Sequence, residues 1–97
     1  MIAERESNPR EEARSLRNLL RAGETPESIY ALIGNDTPYR RRVRLYFDIA
    51  IGQKPDSEEL KQEIIRCFRS CWAEARIRSA LHVSTNIILH LRKNFHE

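Results

Sequence analysis

No stretch of this chain approaches the run of about 18 or more apolar residues that a membrane-spanning helix requires. Its start, MIAERESNPREE, is far too polar for a signal peptide. Both absences point to a cytoplasmic protein with no membrane partner. Nor is there a Gly-rich phosphate loop, a G-x-S-x-G or an H-E-x-x-H, and no pair of carboxylates sits in a setting that would bury it. The acidic residues cluster at helix starts, where they serve the helix dipole. A non-enzymatic protein is the expectation, with no cofactor.

Cysteine is scarce as well. Cys67 and Cys71 stand four apart, which on a helix puts both on the stripe of Leu60 and Ile64. Buried reduced thiols follow from that placement, with their nucleophilicity suppressed by apolar surroundings. A zinc site would need two more ligands from His82, His90 and His96, and a helical C-x-x-x-C is not a usual zinc knuckle, so no metal is expected.

What is present is an ordinary helical composition: 97 residues, 40% hydrophobic and 32% charged, with a net charge of +3. That length suits one compact domain, or two small units sharing a core, and is too short for a large catalytic cavity. Asn8 before Pro9 signals a first helix that Gly23 ends, and Thr25-Pro26 signals a second that stops at Gly34. Thr37-Pro38 opens a third, running to about Ile51 on a stripe of Tyr39, Val43, Tyr46, Phe47 and Ala50. After a linker at 52–55, Asp56 or Ser57 can cap a long helix reaching about Trp72, its stripe widened by Ile65 and Trp72. No segment reads as a strand. The expected fold is all-α, about five helices in one domain over 8–97, behind a flexible N-terminus at 1–7.

The stretch from Trp72 to Phe95 has the layout of a helix-turn-helix. Ile77 and Leu81 lie one turn apart, Val83 falls in a break, Ser84 can cap a new helix, and Ile88, Leu91 and Phe95 continue at helical spacing. Two residues stand out against it: His82 at the turn, where a Cβ is costly in the left-handed region, and Arg78, where a small residue normally lets the helices approach.

At an offset of 48 the chain matches itself. Leu16 falls on Ile64, Leu20 on Phe68, Ile29 on Ile77, Ile33 on Leu81, Gly34 on His82, Asp36 on Ser84, Thr37 on Thr85, Val43 on Leu91 and Arg44 on Arg92. Such self-similarity is what a duplicated supersecondary unit leaves behind, here over 8–52 and 56–97. Chance likeness among amphipathic helices in a plain bundle is the alternative. The first copy keeps a Gly at the turn but has Asn35 for the apolar turn residue and Arg40 for Ile88.

Through I77-x-x-x-L81-x-V83-S84-x-x-x-I88-x-x-L91 the second copy resembles the helix-turn-helix superfamily of bacterial, phage and plasmid regulators. Through LLRAG, the R-x-R-L-Y run ending at Tyr46 and the following G-x-K-P, the first copy resembles the C subunit of the flagellar master regulator, without that family's cysteine cluster. These resemblances imply a transcriptional regulator from a bacterium, phage or mobile element.

The third helix concentrates positive charge, with Arg40, Arg41, Arg42 and Arg44 in five positions. Arg41 and Arg44 are the candidate phosphate clamps, with Thr37 and Tyr39 beside them, while Arg40 and Arg42 lie nearer the apolar edge. A solvated basic face, partly neutralised by Asp48, is the alternative. In the second copy, a projection at 100° per residue turns Leu89 about 140° from the Ile88, Leu91 and Phe95 stripe. With Thr85, Asn86, His90 and Lys93 it forms the face that would enter the major groove of double-stranded DNA. An exposed Leu among few charges equally suits docking of a protein, either a second copy in a homodimer or a partner regulator for which this chain acts as anti-activator or adaptor.

Overall fold

A computed structural model describes residues 8–94. Phe95 and His96, and the N-terminus at 1–7, lie outside the described residues. Among the described residues six helices form, not about five: α1 (Pro9–Arg21), α2 (Pro26–Ile33), α3 (Pro38–Ala50), α4 (Ser57–Arg69), α5 (Glu74–Leu81) and α6 (Thr85–Lys93). No strand occurs among the described residues. The chain divides between Pro55 and Asp56 into two compact units of three helices each.

Local hydrogen-bond chemistry sets most helix starts. Asn8 Oδ1 accepts from the backbone N–H groups of Arg10 and Glu11, at 3.1 and 3.2 Å. Thr25, Thr37, Asp56 and Ser84 each accept the N–H three residues on. Each cap satisfies donors that the first helical turn leaves without partners.

The helix ends match at the 48-residue offset more sharply than the side chains do. At α1, Glu24 N–H donates to Leu19 O and Gly23 N–H to Leu20 O, the paired bonds of a Schellman motif, with Gly23 at φ 106°. Forty-eight residues on, Trp72 N–H donates to Cys67 O and Cys71 N–H to Phe68 O, with Cys71 in the same role at φ 59°. The bounds of α1 and α2 map onto those of α4 and α5 residue for residue at this offset.

α4 therefore stops at Arg69, short of the expected Trp72. Cys71 leaves the helical stripe and is exposed, while Cys67 stays buried. The expectation of two masked thiols on one face fails here, because Cys71 occupies the left-handed position that reverses the chain.

The register also slips by one after the second helix of each unit. Thr37 and Ser84 are the two caps, and they are 47 apart. The turn after α2 spends one more residue than the turn after α5, so Thr37 matches Ser84 and not Thr85. Gly34 takes φ 68° and ψ −170°, a region essentially closed to residues with a Cβ. His82 takes φ 54° and ψ 43°, the ordinary left-handed well that a side chain can enter at modest cost.

In the first unit α1 packs along α3, and α2 closes against both. Ala13, Ile29, Ile33, Val43 and Phe47 are buried. Leu45 and Ile49 are buried as well, so the covered arc of α3 is wider than the expected stripe of Tyr39, Val43, Tyr46, Phe47 and Ala50. In the second unit α4, α5 and α6 pack pairwise around Ile64, Cys67, Ile77, Leu81 and Ile88. Glu63 is buried there at 2% exposure, its carboxylate 2.8 Å from Arg66.

Candidate nucleic-acid interface

The second unit's outward face is built by the turn at His82 and the cap at Ser84, which together set where α6 begins. Arg78, expected to hold the two helices apart, spans them. Its guanidinium donates to Thr85 Oγ1 at 2.9 Å and lies 3.5 Å from Glu74. A long side chain can tolerate this position because it lies along the surface with its charged head in solvent.

That bond decides the fate of Thr85, which is half-buried with its hydroxyl facing α5. Asn86, Leu89, His90 and Lys93 are exposed, and the structure gathers them on the solvent side of α6, opposite Ile88. Leu89 is 49% exposed and Ile87 is 44% exposed. Sequence reasoning did not single out Ile87, although it precedes the core residue Ile88 by one position.

Ile87 also belongs to an apolar groove of about 360 Å³ between α4 and α6. Leu60, Ile64, Ile87 and Leu91 form its walls, and Lys61, Asn86 and His90 stand at its margin. Two of the expected groove-reading residues thus flank an apolar cleft.

In the first unit, the residues expected to touch DNA are held by their neighbours. Thr37 uses its hydroxyl as the α3 cap. Tyr39 donates its hydroxyl to Glu12 Oε1 at 2.5 Å, and Arg40 pairs with the other oxygen of Glu12 at 3.3 Å. Arg41 is half-buried and donates to the carbonyl of Asn35 at 3.1 Å, in the turn that precedes its own helix. Arg44 is exposed, its guanidinium 5.1 Å from the centre of the Tyr30 ring.

Tyr30 organises that corner. It meets Phe47 edge to face at 5.2 Å and donates its hydroxyl to Asp48. Burial first, then the bond to Asp48 and its charge, hold the Tyr30 hydroxyl well above its ordinary value of 10.0, with Arg44 opposing. Asp48 is therefore engaged by Tyr30, where the sequence had suggested it as the neutraliser of Arg44.

A second basic feature sits on α1. Arg10, Arg14, Arg17 and Arg21 recur at spacings of four, three and four, which places them on one side of the helix. This spacing is visible in the sequence, though its charges are less closely set than the run on α3.

Among the described residues no helix is long and apolar enough to cross a membrane, and no cluster of His, Cys, Asp or Glu is placed to hold a metal ion. No protein-family model, curated protein or solved structure matches the chain.

Proposed function

We propose that this chain is a small cytoplasmic DNA-binding regulator that reads duplex DNA with α6. One observation carries the proposal. α6 leaves a left-handed turn, is capped by Ser84, is tied to α5 through Arg78 and Thr85, and turns Asn86, Leu89, His90 and Lys93 to solvent together. Those side chains suit a major-groove surface: Asn pairs with adenine, Leu can cover a thymine methyl, and Lys reaches phosphate. Arg44, exposed on α3, is the phosphate contact of the first unit, with Arg41, which also donates to Asn35, beside it.

Selection of binding sites from random duplexes tests this directly. A recovered motif is expected, and Asn86→Ala should relax preference at one base position, by about 1 to 3 kcal/mol of discrimination. Absence of any motif would overturn the assignment.

The groove between α4 and α6, with Ile87 and Leu89 exposed to either side of Asn86, favours a second role as a protein-interaction module binding another regulator or a second copy. In that case Leu89→Ala should weaken the protein complex by about tenfold or more, since burying a Leu is worth roughly 1.5 to 3 kcal/mol. Sedimentation of a strict monomer that binds its DNA motif with no dependence on Leu89 would exclude it.

A further inference from the structure

The arginine cluster of α3, which the sequence marks as the densest positive charge, is largely consumed inside the first unit. Arg40 pairs with Glu12, Arg41 donates to Asn35, and Arg44 lies over Tyr30. The four arginines of α1 are in a different condition. Among the described residues, no hydrogen bond or ion pair engages the guanidinium group of Arg10, Arg14, Arg17 or Arg21.

The geometry of α1 explains why. Pro9 and Ala13 are buried, with Leu16 and Leu20 half-buried on the same side, so they define the inward face. Glu12 leans to one flank, where Tyr39 and Arg40 hold it. At 100° per residue the four arginines gather on the other flank, within about 60° of one another, and no acidic residue of α1 projects among them.

Arg14 and Arg21 are exposed, while Arg10 and Arg17 are half-buried. Arg17 has its Nε sealed from solvent without a hydrogen-bond partner. A cation held partly out of water with no acid paired to it among the described residues is an arrangement that an anion docking there would relieve. From Arg10 to Arg21 the ridge runs about 16 Å at 1.5 Å per residue. That is roughly five base steps of a strand rising 3.4 Å each.

We infer that the α1 ridge of Arg10, Arg14, Arg17 and Arg21 is a backbone-binding surface for duplex DNA, separate from the reading face of α6. This deepens the DNA-binding assignment by adding a contact that supplies affinity without sequence information. Guanidinium forks suit phosphate oxygens, and a ridge along one helix follows a strand without reaching base edges.

The test uses the full chain and a labelled duplex of random sequence, with binding followed by fluorescence anisotropy between about 50 and 200 mM salt. Arg14→Gln and Arg21→Gln, both at exposed positions, should each lower the slope of log affinity against log salt by about 0.9, and the double variant by about 1.8. Arg14→Lys with Arg21→Lys should keep most of the slope. Lys54→Gln with Lys61→Gln, which removes the same charge elsewhere, should change it by less than half as much. Circular dichroism of each variant checks that the helices persist.

Equal slopes for the arginine and lysine doubles would overturn the ridge, as would an unchanged slope in Arg14→Gln/Arg21→Gln or a wild-type chain that fails to bind random duplex at about 50 mM salt. The two claims fail separately. Loss of slope on the ridge variants with no selected motif retains the ridge and removes α6 as a reader, whereas a motif that depends on Asn86 with no ridge effect does the reverse.

Discussion

Three positions in the second unit carry less suitable residues than their counterparts 48 positions earlier. Cys71 stands for Gly23, Ala73 for Thr25 and His82 for Gly34. The structure gives each a defined defect. Cys71 and His82 hold positive φ, and Ala73 is the N-cap of α5 with no side-chain hydrogen bond. All three are exposed, so replacing them removes no buried contact. Installing the cap with Ala73→Thr should add about 1 kcal/mol. Each change to Gly relieves a left-handed penalty of about 1 to 2 kcal/mol but returns part of it as unfolded-chain entropy, leaving a net gain of about 0.5 kcal/mol. Allowing for coupling between neighbours, Cys71→Gly, Ala73→Thr and His82→Gly together should stabilise by about 2 kcal/mol. At roughly 4 to 8 °C per kcal/mol for a small domain, the midpoint should rise by about 8 to 16 °C. Thermal and urea unfolding followed by circular dichroism measure this, and amide exchange should place the gain in α4–α6. A triple variant no more stable than the parent would refute the reasoning, and destabilisation by both Gly changes would show that neither residue holds a left-handed conformation.

Arg78→Ala distinguishes a tie from a wedge. Loss of its bonds to Thr85 and Glu74 should cost about 0.5 to 1 kcal/mol, small because the side chain is largely solvated, and should speed exchange at the start of α6, whereas stabilisation would mean that Arg78 holds the helices apart. Tyr30 should ionise well above its ordinary 10.0, and Asp48→Asn should bring it down in an absorbance titration. Because its folded value is raised, the Tyr30 contribution to stability is complete below pH 10 and is lost as pH climbs from there. A Tyr30 titration unaffected by Asp48→Asn would refute the pairing.

The parts of this protein legible from residue order are those governed by interactions a few residues long. Caps at Asn8, Thr25, Thr37 and Ser84, and prolines at the first helical position, mark helix starts because the donor and acceptor lie within three residues of each other. Helical spacing likewise identified Ile29, Ile33, Ile64, Ile77, Leu81 and Ile88 as core, since the period of the backbone decides which side chains share a face. The end of α4 was hidden because its reversal uses Cys71 in place of Gly, so no punctuating residue announced it. The one-residue slip at the turns was hidden because the two turns differ in backbone path, Gly34 with ψ near −170° and His82 in the left-handed well.

What only the tertiary structure decided is which charges and apolar groups remain available. Glu12 reaches Tyr39 and Arg40 across 27 and 28 residues, and Tyr30 meets Asp48 and Arg44 from a different helix, so the arginines of α3 are engaged by partners that no local pattern specifies. The same packing left the α1 arginines without acidic partners among the described residues and opened a groove beside Ile87 between helices that are not adjacent in sequence. Periodicity assigns a residue to a face, but only packing says what that face meets.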